Sequence, residues 1–435
     1  MTAEIGILNK TAVALAADSA VTVQKAQGQK IYNSANKLFS LSKYHPVGIM
    51  LFGGASFMGI PWETIIKVYR SRLGKKSFKT LKEYANNLIE FVKESGANFV
   101  PQKQQEQYIK AHIWIYYQFM KDEIKKALDN AVKDKSLKEE DIRLIVRQII
   151  ENKKADIEKS SFLDEIAEKN KNGFINKHGK DIDEITNKVF ENLPLEDKSK
   201  ADLKDIAIGL FYRAGTFTND SSGIVIAGFG EDEIFPSIHA FQFECLVEGV
   251  LKYTPLPQKT GEISFENNAM ITPFAQSEMV HTFIEGIDPS LEQLSIGYLS
   301  KIFSQYPDTL LKQIVLKYED GRQDTLNKLK GISDAILKDY IEQNKKYRQD
   351  VHISPILSIV GILPKDELAS MAEALVNLTW FKRRITMDAE TVGGPIDVAV
   401  ISKGDGFVWI KRKHYFAPQL NPQFFENYFR EGDEI

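Results

Sequence analysis

Thr2 and Asp18 are the residues of the opening stretch whose types and spacing suit covalent chemistry. Methionine before a small residue such as Thr is commonly trimmed, which would leave Thr2 with a free α-amine. Such an amine has a reference pKa of about 7.7–8.0, so near neutral pH a useful fraction of it is unprotonated base. A hydroxyl and a base on one residue form a self-contained activated nucleophile. The plain alternative is that Thr2 merely opens an edge strand. Apolar runs flank Asn9-Lys10, and Asn tolerates the positive φ of a two-residue hairpin turn. That turn predicts Leu8 opposite Thr11 and Thr2 opposite Ala17, with Asp18 falling just past the start of the chain.

Further strands are needed to hold these groups. Residues 19–33 are polar and read as a surface loop, followed by strand candidates at 37–41 and 47–52. Near-continuous apolar runs in the second and fourth strands predict burial on both faces. Helices are expected at 62–73 and 78–93. Between 96 and 214, Ile113, Tyr116, Met120, Ile124, Leu128 and Val132 recur at helical spacing, and Ser136 with Glu139 reads as a capping box. Strand signals return at 223–228, 234–243 and 247–253, with a weaker one at 262–265. Helical patterning dominates from about 278 to 350. Pro364 with Asp366 and Glu367 opens another helix, and Lys382-Arg383-Arg384 sits at its negative end. Gly393-Gly394 then turns the chain into a strand at 396–401, and a hairpin at 403–406 leads to 407–410. Strands and helices in this alternation describe layered sheets covered by helices, an α+β arrangement. The division expected is 1–95 (first part of a core), 96–214 (helical insertion), 215–288 (second part of the core), 289–360 (smaller helical insertion), 361–412 (last helix and strands) and 413–435 (C-terminal tail).

A net charge of −3 and a pI near 6.2 give no reason to expect nucleic acid or an anionic membrane as partner. The single cysteine, Cys245, excludes an intramolecular disulfide and suits a reducing compartment. The N-terminus lacks a basic flank before an apolar signal core, so a cytoplasmic protein is expected. Residues 44–62 carry no acid or fixed base, but Pro46, Gly53, Gly54, Gly59 and Pro61 make them a buried strand with its exit loop rather than a membrane span. The histidines show no metal spacing, and His281 with Glu285 reads as a surface pair, so no metal or cofactor is expected. Gly54-Ala55-Ser56 lies between strand and helix like a nucleophile elbow, but Met58 replaces the closing glycine, so Ser56 reads as a helix cap. Gly228-Phe229-Gly230 lacks the third glycine of a dinucleotide loop and is followed by acids, which excludes a pyrophosphate. Cys245 reads as core.

Four pieces, in chain order, carry a resemblance. Thr2 is followed by Ala16-Ala17-Asp18-Ser19, then by Lys37-Leu38-Phe39, then by Leu51-Phe52-Gly53-Gly54-Ala55. Near the C-terminus come Asp388, Gly393-Gly394-Pro395-Ile396-Asp397-Val398-Ala399-Val400-Ile401 and Asp405-Gly406. Together they resemble the proteasome β-subunit and its bacterial relatives, the N-terminal-nucleophile hydrolases. The two helical insertions lie outside the resemblance. The segment before Gly393 is one residue longer than the family's and lacks its serine, and Thr391 is the candidate hydroxyl there. Ser277 is the candidate for a further supporting serine.

The resemblance implies a four-layer αββα sandwich, a peptide or amide substrate, no cofactor, and a homo-oligomer. It implies that Thr2 Oγ attacks a carbonyl carbon while the Thr2 amine takes the proton. Lys37 would stand beside the hydroxyl as a cation, anchored by Asp18, with Asp388 in the same constellation. Lys30 competes with Lys37 as partner of Asp18; the Leu-Phe that follows Lys37 decides for the latter. The Gly53 N–H would supply an oxyanion hole. Val21, Leu51 and Ala55 would line the substrate side chain, which points to an apolar preference. The alternative of another class is an inactive assembly or scaffold subunit of the same fold. The roles open to the insertions are capping a cleft, mediating assembly and recruiting an ATPase.

Overall fold

A computed structural model describes residues 2–25, 28–134, 138–163, 165–214, 221–313, 322–386 and 392–429, in two compact units. One unit comprises residues 1–38 and 262–435, the other residues 39–261. Both are mixed α+β, with antiparallel sheets.

The first unit is built on a five-stranded sheet in the order Ala269–Pro273, Glu4–Asn9, Ala12–Ala17, Asp397–Ser402, Gly406–Lys411. Side chains alternate across a strand, so Ala3, Ile5 and Ile7 share a face with Ala12, Ala14, Ala16, Val398 and Val400. That face packs on Leu368, Ala369, Ala372, Leu375 and Val376 of the Lys365–Ile385 helix. Alanines on both sides of the contact let helix and sheet approach closely. Thr2, Glu4 and Leu8 belong to the opposite face. Every residue of Glu4–Asn9 and Ala12–Ala17 is buried, as the continuous apolar runs predict.

Three expectations in this unit need correction. The hairpin pairs Leu8 with Val13 and Glu4 with Ala17, instead of Leu8 with Thr11. Asn9 is the cause. Its Oδ1 accepts from Thr11 N at 2.9 Å, Thr11 Oγ1 at 2.7 Å and Ala12 N at 3.2 Å. Its Nδ2 donates to the Val360 and Leu363 carbonyls at 3.0 and 2.9 Å. A side chain used this way makes an Asx-type loop, longer than a two-residue turn. The polar stretch at 19–33 is not all loop, since Val21–Lys25 and Gly28–Tyr32 pair as an antiparallel ribbon. Finally, Ala269–Pro273 is a strand that the weak signal at 262–265 missed, and it pairs directly with Glu4–Asn9.

The second unit carries a sheet in the order Val250–Pro255, Ser237–Val247, Ser222–Gly228, Val47–Gly53, with Leu38–Ser40 at the edge where the chain enters. Its helices run Trp62–Leu73, Leu81–Phe99, Gln102–Asp134, Glu139–Glu158, Glu165–Val189 and Asp197–Tyr212. Ile113, Met120 and Ile124 are buried in one cluster with Ile49, Trp62 and Phe243 of the sheet and its first helix, and Tyr116 and Leu128 pack against it. The helices of the expected insertion thus share the core of the sheet. Val132 is the exception, at 58% exposure. Ser136 lies outside the described residues; the helix after it starts at Glu139, where Asp141 accepts the Lys138 N–H at 3.0 Å. Ser56 is not a helix cap: it pairs in a two-residue strand, and Pro61 precedes the Trp62 helix. Cys245 is buried. Among the described residues no helix is long and apolar enough to cross a membrane.

Candidate active site

The hairpin register assembles the site. Because Glu4 is opposite Ala17, the next pair outward is Ala3 and Asp18. Asp18 N donates to Ala3 O at 3.1 Å, and Ala3 N donates to Asp18 Oδ1 at 3.1 Å. Asp18 Oδ2 accepts from Gly393 N at 2.9 Å and Ala20 N at 3.3 Å. The Lys37 ammonium donates to Oδ1 at 2.5 Å. A buried carboxylate needs partners of this kind, and Asp18 has them on both oxygens.

Lys37, 4% exposed, also lies 3.1 Å from Glu4 Oε1. That contact is an ion pair without an aligned hydrogen bond. The other oxygen, Glu4 Oε2, accepts from Thr2 Oγ1 at 3.0 Å. Thr2 and Glu4 are two apart in extended backbone, so their side chains share a face. Glu4 is the member that the sequence reading missed. The available signal was a lone carboxylate in an apolar strand, at even spacing from the hydroxyl. Burial, first of all, pushes the Glu4 carboxyl up to about 7, and the Asp18 charge adds to this, while Lys37 and the Thr2 hydroxyl pull it back.

The chain around Gly393 closes one side. Ser19 N donates to Gly393 O at 3.1 Å, and Ser19 Oγ donates to Pro395 O. Gly394 has φ +79°, and a Cβ there would stand 2.8 Å from Asn33 Cβ, so only glycine fits. Gln276 N donates to Thr2 O at 3.0 Å, and Gln276 Oε1 accepts from Arg383 Nε at 2.9 Å. Ser277, next in the chain, precedes the Glu278–Glu285 helix without capping it through its side chain.

Lys30 stands apart, its ammonium 5.1 Å from the Tyr32 ring centroid on the ribbon. Val21 opens that ribbon opposite Tyr32. Gly53, Leu51 and Ala55 belong to the second unit. There Gly53 is exposed with φ +73°, Leu51 is in the apolar core and Ala55 is exposed. Asp388 and Thr391 lie outside the described residues. His281 Nδ1 is 2.9 Å from Glu285 Oε1, a pair that Arg348 joins at 3.2 Å. Among the described residues, no group of three or more His, Cys, Asp or Glu is placed to hold a metal ion.

The arrangement offers a hydroxyl, two carboxylates and a cation in hydrogen-bond or ion-pair range, which is a set capable of activating the hydroxyl and stabilising its alkoxide. No protein-family model matches the chain, and no curated protein matches it.

Proposed function

We propose that the chain is an amide-bond hydrolase of the proteasome-like N-terminal-nucleophile type, folded as an αββα sandwich and working through a Thr2 acyl-enzyme. The observation that carries this is the buried Lys37 ammonium, held 2.5 Å from Asp18 and 3.1 Å from the carboxyl group that binds the Thr2 hydroxyl. A cation placed there lowers the energy of alkoxide character on Oγ. In this reading Asp18 anchors Lys37, and the Thr2 amine bounds the site on the N-terminal side. Val21 lines the substrate side chain, with Ser277 in support. The substrate is a peptide or amide, and the working form is a cytoplasmic homo-oligomer.

One observation favours a second reading, a scaffold subunit of the same fold without catalysis. Thr2 is 3% exposed. The enzyme therefore requires that the site open to a substrate and that loss of Met1 free the amine. Intact mass and covalent labelling separate the two readings. The enzyme loses Met1, and a peptidyl β-lactone acylates Thr2 in the wild type and leaves Thr2→Ala unmodified. A mature protein that retains Met1 and stays unlabelled is the scaffold.

A further inference from the structure

The inference here rests on Thr2 being the nucleophile, and concerns where its proton goes. We propose that the Glu4 carboxylate, rather than the chain's terminal amine, accepts the Thr2 Oγ proton when Oγ attacks a substrate carbonyl. The two carboxylates of the site differ in what already occupies them. Asp18 accepts from Lys37, Ala3 N, Ala20 N and Gly393 N, so its oxygens are committed to holding the cation and two turns of backbone. Among the described residues Glu4 accepts one directed hydrogen bond, and it comes from the Thr2 hydroxyl itself at 3.0 Å. Its second oxygen faces the Lys37 ammonium at 3.1 Å without an aligned hydrogen bond. A general base must lie within hydrogen-bond reach of the proton it removes, and Glu4 Oε2 does.

Among the described residues the charged groups acting on Glu4 are Lys37 and Asp18, one of each sign, and in the mature enzyme the Thr2 amine is a further titratable group of the site. Its burial keeps the carboxyl far less acidic than an exposed glutamate, which matches its proton affinity to a reaction run near neutral pH.

The step balances as follows. An Oγ lone pair forms the Oγ–C bond, the carbonyl π pair moves to oxygen, and the Oγ proton passes to Glu4 Oε2. On collapse the C–N bond breaks with its pair going to nitrogen, and the Glu4 proton leaves on the amine product. Water then attacks the ester, its proton passing through Glu4 back to Thr2 Oγ. Lys37 remains a cation throughout. Residue 4 thereby acts as a catalytic residue in proton transfer, with Asp18 as a positioning residue through Lys37.

The test is the pH dependence of Thr2 acylation by the peptidyl β-lactone. Glu4→Gln is expected to slow acylation by about 100-fold or more and to erase the ionisation limb near neutral pH. Glu4→Asp, which keeps a carboxylate on a shorter arm, recovers part of the rate together with the limb. Acylation of Glu4→Gln within about threefold of wild type, limb intact, overturns the proposal and leaves Thr2 as nucleophile. A measurement on the wild type alone covers a variant that fails to fold. Carboxyl ionisation has a small enthalpy and amine ionisation a large one, so the limb stays fixed between 10 and about 35 °C for Glu4. A limb that moves down on warming assigns the proton to the amine and overturns the proposal. Undiminished labelling of Thr2→Ala overturns the parent reading, whatever Glu4 does.

Discussion

Among the described residues each unit buries one lysine against carboxylate, and the two lysines are differently employed. In the second unit Lys252 is fully buried, 2.7 Å from Glu244 Oε2, and donates to the Leu210 carbonyl at 2.5 Å. Leu210 is in the last turn of the Asp197–Tyr212 helix, where carbonyls have no partner within the helix and the dipole favours a cation. Glu244 sits where the register between Ser237–Val247 and Val250–Pro255 slips, at a bulge that re-aims its side chain. The neighbouring Cys245 thiol is pushed well up by burial and by the Glu244 charge, which keeps it protonated and inert. Lys252 caps a helix and pairs with Glu244.

Lys37 faces two carboxylates and, through one of them, a hydroxyl. Burial and pairing are therefore common to both lysines and do not by themselves mark a site. The difference is a carboxylate in excess of cation, because one of the two acids must then be easy to protonate.

The largest expected effects divide the two lysines. Lys37→Met and Lys252→Met each strand buried carboxylate and should lower stability by about 3–5 kcal/mol in urea denaturation. Labelling of Thr2 per folded molecule should vanish in Lys37→Met and persist in Lys252→Met. Equal labelling in the two variants would reduce Lys37 to another structural cation.

The excess carboxylate gives the next effect. Glu4 binds a proton up to about pH 7 when folded but only to about 4.5 when unfolded, so the folded state holds more protons between those values. Stability should therefore fall as pH rises through that window, by about 3 kcal/mol in all, and level off above it. Glu4→Gln should abolish the slope and be more stable than wild type at pH 8, as expected where function is held at the expense of stability. A flat wild-type profile in denaturation across pH 4.5–8 would remove the asymmetry between the units.

Glycines sharpen the comparison on a smaller scale. Gly394, φ +79° with Asn33 against it, should lose about 3 kcal/mol as Gly394→Ala. Gly249, φ +77° in open space, should lose about 1 kcal/mol as Gly249→Ala. The difference is read from paired thermal melts. Smallest of all, Lys30→Ala should change stability by no more than about 0.5 kcal/mol and leave labelling as it is, since its ammonium lies over Tyr32.

Much of the strand framework was legible because apolar runs and glycine or proline punctuation are local signals. The Trp62–Leu73 helix coincides with its expected span, and the strands Asp397–Ser402 and Gly406–Lys411 lie within one residue of theirs. The misses have a common cause. Ala269–Pro273 is a short apolar run that ends in proline, the ribbon at Val21–Lys25 and Gly28–Tyr32 mixes polar with apolar residues, and the strand character of all three comes from pairing with neighbours. Ser56 looked like a cap because the helix start was read without the small strand that occupies it.

By itself the sequence determined that a hairpin opens the chain, that Asp18 returns toward its beginning, and that alternation along the strand sorts residues into two faces. Only the tertiary structure decided which pairs face each other. Asn9 spends its side chain on the carbonyls of Val360 and Leu363, far along the chain, and so lengthens the loop and moves the register by two residues. An even shift preserves the faces but exchanges the partners, so that Glu4 rather than Thr2 is opposite Ala17. Short-range patterns encode parity, whereas register is the free-energy balance of contacts made over hundreds of residues, and it placed a second carboxylate beside Lys37.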